Sequence, residues 1–208
     1  MLGHLYLVIT PRPGQDDPEI LARAEAALNG GVDILQLRAK DWDALPILHL
    51  GEKLLSLCRR YRIPFVLNDR PDLAALLEAD GVHVGQNDLT PQQARRFFQG
   101  IVGRSTHAPQ QAQKALAEEA DYLSIGPIWE TPTKLGRPAA GLEYVRWAAQ
   151  NLPQKTVWYA IGGIQLTNLS QVLEAGARRI VVVRAIYDAE SPEKAARAFK
   201  EELERWST

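Results

Sequence analysis

Eight short runs of β-branched and aromatic residues, each followed by a stretch with helical spacing, constrain this chain more than any other feature. The runs fall at residues 4–10, 32–38, 64–68, 81–84, 101–105, 121–125, 156–161 and 179–183. Their starts are 28, 32, 17, 20, 20, 35 and 23 residues apart, scattered around the 26 that eight equal divisions of 208 residues give. Each interval has room for one helix and two short loops, which is a βα unit. Strict βα alternation requires a parallel sheet, because each helix carries the chain back across the sheet face. Eight units either close into a barrel or spread into a large doubly wound sheet. The first β–α turn, Thr10-Pro11-Arg12-Pro13-Gly14, lacks the G-x-G-x-x-G of a dinucleotide-binding sheet. The short strands also favour closure. The expected fold is therefore a compact, single-domain (β/α)8 TIM barrel over residues 1–208.

Helix signals agree with this division. Asp17-Pro18 is expected as N-cap and first helical residue, followed by Ile20, Leu21, Ala24, Ala27 and Leu28 on one face. Thr90-Pro91-Gln92-Gln93 has the capping-box pattern. Ser191-Pro192 opens a last helix with Ala196, Phe199, Leu203 and Trp206 as its apolar stripe. Gly30-Gly31 and Gly176 stand where helix C-termini call for positive φ. No linker or low-complexity stretch marks a domain boundary. The one long irregular segment is 126–140, rich in Gly, Pro and Thr, and a loop of that length in a compact domain is usually functional.

Charge and cysteine usage remove several functions. The chain carries 24 Lys and Arg against 25 Asp and Glu, so no global field draws it to nucleic acid or to an acidic membrane. Its tryptophans and tyrosines are dispersed and do not form a base-stacking platform. One cysteine, Cys58, excludes an internal disulfide and a Cys-based zinc site, and is expected to pack as a small hydrophobe. No apolar run reaches the 18 or so residues of a membrane span, and the N-terminus has no basic region ahead of an apolar core. A cytoplasmic location is the expectation.

In such a barrel the active site lies at the C-terminal ends of the strands. Reading the strand exits in order collects Gln36, Arg38 and Lys40; Asn68, Asp69 and Arg70; Gln86, Asn87 and Asp88; Ser105 and His107; the segment from Gly126 to Lys134; Gly162 and Gly163; and Arg184. Along the second strand, alternation sends Leu35 and Leu37 to the helices and Gln36 and Arg38 into the barrel mouth. An inward arginine needs an anion or acceptors. A structural ion pair with Asp69 or Asp88 would serve, but Lys40 and Lys134 on the same rim point instead to a bound anion. Asp69 and Asp88 follow neighbouring strands, and two close carboxylates call for a cation between them. Oxygen ligands beside a phosphate describe a Mg²⁺ site. The competing reading for each aspartate is a helix N-cap. Thr131, Thr133 and Lys134 form a phosphate-binding set of hydroxyls and an ammonium, and the competing, weaker reading is a merely solvated loop. Gly162-Gly163 is either a tight turn or a close backbone approach to a ligand. His83, inside a strand, is expected as a satisfied core histidine, whereas His107 on the rim is a candidate for proton transfer or orientation.

These residues resemble the thiamine phosphate synthase family over almost the full chain. The matching stretches are Gln36-Leu37-Arg38-Ala39-Lys40, Leu67-Asn68-Asp69, Asp80 through Asp88, Ser105-Thr106-His107, Gly126-Pro127 with Thr131-Pro132-Thr133-Lys134, Ile161-Gly162-Gly163-Ile164 and Val183-Arg184-Ala185-Ile186. The resemblance implies a transferase of thiamine biosynthesis that joins hydroxymethylpyrimidine diphosphate to hydroxyethylthiazole phosphate and releases pyrophosphate. It implies that Gln36, Leu37, Arg38, Ala39, Lys40, Asn68, Ser105 and Lys134 hold the pyrimidine diphosphate, with Arg38, Lys40, Ser105 and Lys134 in the catalytic role. Asp69 and Asp88 are implied as Mg²⁺ ligands. Thr131, Pro132, Thr133, Gly163, Val183 and Arg184 are implied around the thiazole phosphate, with His107 nearby. The partners expected are these two small molecules, without nucleic acid or membrane, and a homodimer stays open.

The chain departs from the family at one position. The last motif normally reads Val-Ser-Ala-Ile, and Arg184 stands in the serine's place. It either grips the thiazole phosphate as a fork or fills the pocket. Two alternatives follow: a thiazole tautomerase-like barrel, which Gly103-Arg104-Ser105 also resembles, and a non-catalytic protein that binds thiamine intermediates. Asn68, Asp69 and Asp88 argue for the synthase.

Overall fold

The computed structural model describes residues 2–131 and 138–206. Eight strands form one closed barrel in chain order. They are β1 (Leu5–Ile9), β2 (Ile34–Leu37), β3 (Phe65–Asn68), β4 (Gly81–Val84), β5 (Ile101–Thr106), β6 (Tyr122–Ile125), β7 (Val157–Ile161) and β8 (Ile180–Val182). Every neighbouring pair is parallel, and β8 closes on β1 through Leu5 opposite Ile180 and Leu7 opposite Val182. The helices that return the chain are α1 (Asp17–Asn29), α2 (Ala44–Tyr61), α3 (Pro71–Leu76), α4 (Pro91–Ala94), α5 (Pro109–Ala117), α6 (Gly141–Asn151) and α7 (Leu169–Glu174). After β8 come a single-turn helix α8 (Arg184–Tyr187) and the closing helix α9 (Pro192–Arg205).

Alternation along the strands divides the core in two. Leu5, Leu7, Leu35, Leu37, Phe65 and Leu67 pack outward against the helices, in the larger cluster that also holds Cys58 of α2. Burial pushes the Cys58 thiol well up, as expected for an inert core cysteine. The inward set is Tyr6, Val8, Ile34, Val66, Tyr122, Tyr159 and Val181. Three tyrosines in a barrel this narrow need a gap opposite them, and Gly103 provides it. A Cβ at Gly103 would lie 2.1 Å from the Tyr122 Cζ atom.

The helix boundaries follow local chemistry, with one correction. Asp16, not Asp17, caps α1: its Oδ1 accepts the Glu19 N–H at 2.9 Å, and Pro18 sits one position further into the first turn than expected. Either aspartate supplies the same side-chain acceptor, so composition alone left a one-residue slip. Thr90 and Gln93 form the expected capping box. Gly31 and Gly176 take positive φ at 97° and 104°, whereas Gly30 keeps a helical φ of −81°. In α9, Ala196, Phe199 and Leu203 are buried as expected. No helix among the described residues is long and apolar enough to cross a membrane.

Candidate active site

The C-terminal rim of the barrel carries a polar basin on the β2–β4 side. Asp69 leaves β3 with φ of 63°, a left-handed conformation that aspartate tolerates better than most residues. Its N–H is tied to the His83 carbonyl at 2.8 Å. The cap position of α3 belongs to Arg70, which makes no side-chain cap bond, and Pro71 follows without an N–H to satisfy. Asp88 Oδ2 accepts the Gly85 N–H at 2.8 Å, closing its own turn, while Thr90 caps α4. Neither aspartate therefore caps a helix, and the N-cap readings fall.

Asp69 instead shares a hydrogen bond with Asp88. Burial, then the hydrogen bond and charge of Asp88, lift the Asp69 carboxyl to about 6, against the pull of Lys40 and Arg38. Lys40 and Arg38 thus lie close enough to act on the pair. Neither makes an ion pair within 4.0 Å among the described residues, so the structural ion-pair reading of Arg38 falls as well. The basin measures about 490 Å³ and is bordered by Arg38, Lys40, Asn68, Asp69, Asp88 and Ser105, with Trp42 at its edge.

This donor set fits a hard divalent cation. Among the described residues no three His, Cys, Asp or Glu side chains come together as a metal group. Two carboxylates alone would leave most of a metal's coordination sites to water and to phosphate oxygens, the pattern characteristic of Mg²⁺. Two carboxylates that hold a proton between them are also the arrangement that a metal relieves.

A second cavity of about 560 Å³ opens on the other side of Arg38, Asn68 and Ser105, which border both. Its floor is Tyr6 and Tyr122 with Gln36 and His83, and its far wall is Gly162, Gly163 and the residues 183–185 at the start of α8. The loops after the seventh and eighth strands and a short extra helix are where barrels of this class often bind phosphate. Gly162, at φ of 109°, is required by packing: a Cβ there would lie 2.5 Å from the Pro127 Cα. Gly163, at φ of 70°, borders the cavity. The glycine pair is thus both a tight turn and a cavity wall.

The remaining expected residues sort as follows. His107 borders the second cavity and its Nδ1–H donates to the Gly126 carbonyl, just before the cis Gly126–Pro127 bond. Thr131 borders the same cavity, while Pro132, Thr133 and Lys134 lie outside the described residues. Ala39 lines the basin, and Leu37 is buried on the helix side, leaving only its backbone to face a ligand. Val183 and Arg184 border the second cavity. Arg184 is exposed at the start of α8, and the space beside it stays open, so it does not fill the pocket.

His83 is satisfied, as expected, yet it also lines the cavity, which strand position alone did not reveal. Sequence reasoning missed Tyr6, Tyr122 and Ser124, whereas Gln86 stands among the strand-exit residues it collected. Gln86 Nε2 donates to the Ser105 carbonyl at 2.6 Å and so braces β5 at the site. It also missed Thr10, whose buried hydroxyl lacks a hydrogen-bond partner among the described residues and which borders the basin.

Known proteins resemble this chain closely. The thiamine monophosphate synthase family matches residues 5–186. A thiamine-phosphate synthase of Thermus thermophilus is 72% identical over 203 residues, covering 98% of both chains. One of Deinococcus radiodurans is 53% identical over 208 residues, covering 97% of this chain and 74% of the relative. Among solved structures, a thiamine phosphate pyrophosphorylase from Pyrococcus furiosus superposes with a TM-score of 0.87 at 30% identity, covering 99% and 97% of the two chains.

Proposed function

Because the chain belongs to the thiamine monophosphate synthase family, it is a transferase that makes thiamine phosphate, and we propose that it does so with Mg²⁺ at the two aspartates. The observation that carries the site assignment is the pair of cavities meeting at Arg38, Asn68 and Ser105. One is a basin of two acids and two cations that make no ion pair among the described residues, suited to a diphosphate with its metal. The other has a floor of aromatic and hydroxyl groups, suited to two heterocycles, and ends at the Gly162-Gly163 turn and α8.

The substrates react across that junction. The C–O bond of the pyrimidine diphosphate breaks and its electron pair leaves with pyrophosphate. The thiazole nitrogen gives its lone pair to the exposed methylene carbon. Arg38 and Lys40 meet the charge that grows on the leaving group, and Lys134 is assigned the same task by the family resemblance. When bound, Mg²⁺ would add positive charge at the leaving phosphates, held by Asp69 and Asp88. Gln36, Asn68 and Ser105 orient the pyrimidine, and Gly163, Val183 and Arg184 receive the thiazole phosphate. The buried floor excludes water from the methylene cation, which water would otherwise capture.

The curated relatives named above are synthases, so neither the tautomerase nor the binding-protein alternative gains support from them. One assay tests the proposal. Purified protein mixed with both substrates is expected to release thiamine phosphate with Mg²⁺ and none with chelator. Isomerisation of the thiazole without the pyrimidine would point to a tautomerase. Binding without turnover would point to a carrier.

A further inference from the structure

Beneath the second cavity, five side chains from five strands form one hydrogen-bonded line. Gln36 Nε2 donates to the Tyr6 hydroxyl at 2.6 Å. The Tyr6 and Tyr122 hydroxyls are 2.9 Å apart, Tyr122 and His83 Nδ1 are 3.0 Å apart, and His83 Nε2 and Ser105 Oγ are 2.9 Å apart. All five residues are at most 7% exposed. The line begins at Gln36 and ends at Ser105, both on the cavity wall.

Counting protons gives the line a direction. A phenol has one proton to donate, and a buried donor left without an acceptor is costly. Burial raises Tyr6 and Tyr122 far above their usual range, so both keep their protons. Tyr6 accepts from the Gln36 amide, and its one remaining partner among the described residues is Tyr122, to which it must donate. Tyr122 has then received a proton from Tyr6 and must donate its own to His83 Nδ1. A neutral imidazole that accepts at Nδ1 carries its proton on Nε2, and that N–H donates to Ser105 Oγ. Ser105 Oγ has no other partner among the described residues, so its proton is directed to whatever occupies the cavity.

We propose that Tyr6, Tyr122 and His83 are positioning residues that, running one way from Gln36, lock Ser105 as a hydrogen-bond donor to an unprotonated ring nitrogen of the substrate. The role deepens the synthase reading and rests on it for the identity of the ring. The tautomer itself does not depend on that reading. Gly103 belongs to the same device. It clears the space for the Tyr122 ring, and a Cβ there would lie 2.5 Å from the Tyr122 hydroxyl oxygen.

Two measurements test it. In ¹⁵N-histidine-labelled protein, His83 is expected to show a proton-bearing Nε2 and a bare Nδ1, assigned by the signals lost in His83→Gln. A proton on Nδ1 would overturn the relay whether or not the protein is a synthase. For turnover, Tyr122→Phe is expected to lower kcat/KM for the pyrimidine diphosphate about tenfold. KM for the thiazole phosphate should stay within about twofold, because the relay does not reach that subsite. If Tyr122 acts through Ser105, its substitution adds little in a Ser105→Ala background. Equal losses in both backgrounds would mean a merely structural tyrosine and would sink the proposal. Tyr6→Phe, one link further from Ser105, repeats the cycle if Tyr122→Phe does not fold. A wild-type protein that makes no thiamine phosphate would refute the synthase reading and leave the tautomer measurement to decide the relay.

Discussion

Arg104 donates from Nη1 to the Gly85 carbonyl at 2.7 Å, and the same nitrogen bonds the Leu89 carbonyl at 2.9 Å. Arg104 is 4% exposed, and its guanidinium clamps both ends of the turn that carries Asp88. That one nitrogen carries the two N–H donors that two carbonyls need. Arg104→Met is therefore expected to leave two part-buried carbonyls unpaired and to cost about 1–3 kcal/mol in denaturant unfolding. It should also loosen Asp88, raising the Mg²⁺ concentration needed for half-maximal turnover by about tenfold. An unchanged Mg²⁺ requirement would show that the turn holds itself.

The Asp69–Asp88 pair makes metal and pH interchangeable. Asp69 is raised from 3.8 to about 6, so without metal the folded state holds a proton that the unfolded chain releases. The associated stability is fully present below about pH 4 and is lost as pH rises through about 6. Added Mg²⁺ is expected to raise Tm near neutral pH and to have little effect around pH 5, where protons compete for the site. Asp69→Asn removes the repulsion, so the metal-free protein should gain stability near neutral pH and lose its response to Mg²⁺. Asp69→Ala should cut turnover by on the order of a hundredfold. A Tm that rises with Mg²⁺ equally in wild type and Asp69→Asn would place the metal elsewhere.

Much of this arrangement was legible in the chain. Each observed strand falls at, or within two residues of, the run that marked it, because short β-branched runs between helical stretches allow little slippage. Parity on β2 correctly sent Gln36 inward and Leu35 and Leu37 outward. The relay was not seen, because Tyr6 and Tyr122 are 116 residues apart and meet only when the barrel closes. The signal existed. Val8 pairs with Gln36, so Tyr6 two residues before it also faces inward, and the same alternation applies to His83, Ser105, Tyr122 and Tyr159. The Gly103-Arg104-Ser105 motif, which resembled a tautomerase feature, has an account in each residue: a slot for Tyr122, a clamp on the Asp88 turn, and the end of the relay.

Gly103 tests the packing beneath the site. A methyl group 2.1 Å from Tyr122 Cζ forces the ring to move, and overpacking of this kind costs about 1–3 kcal/mol. Gly103→Ala is expected to lower Tm. In combination with Tyr122→Phe it should still destabilise, because the clash is with the ring as well as the hydroxyl. Gly103→Ala in a Tyr122→Ala background should instead cost little. A full penalty in that background would locate the strain in the β5 backbone.

Arg184 is the residue whose family counterpart is serine, and its position predicts a narrow effect. It is exposed at the first residue of α8 and borders the cavity beside Gly163. Because it buries little and makes no ion pair among the described residues, Arg184→Ser should change stability by less than about 0.5 kcal/mol. A guanidinium near a phosphate adds a charge-assisted fork, present in ground state and transition state alike. Its loss is then expected to raise KM for the thiazole phosphate by about fivefold to tenfold with kcat unchanged. The same contact predicts that added salt raises this KM more steeply in the wild type than in Arg184→Ser, since screening acts on exposed charges. A KM that does not respond to the substitution at any ionic strength would mean the guanidinium points to solvent while the backbone alone holds the phosphate.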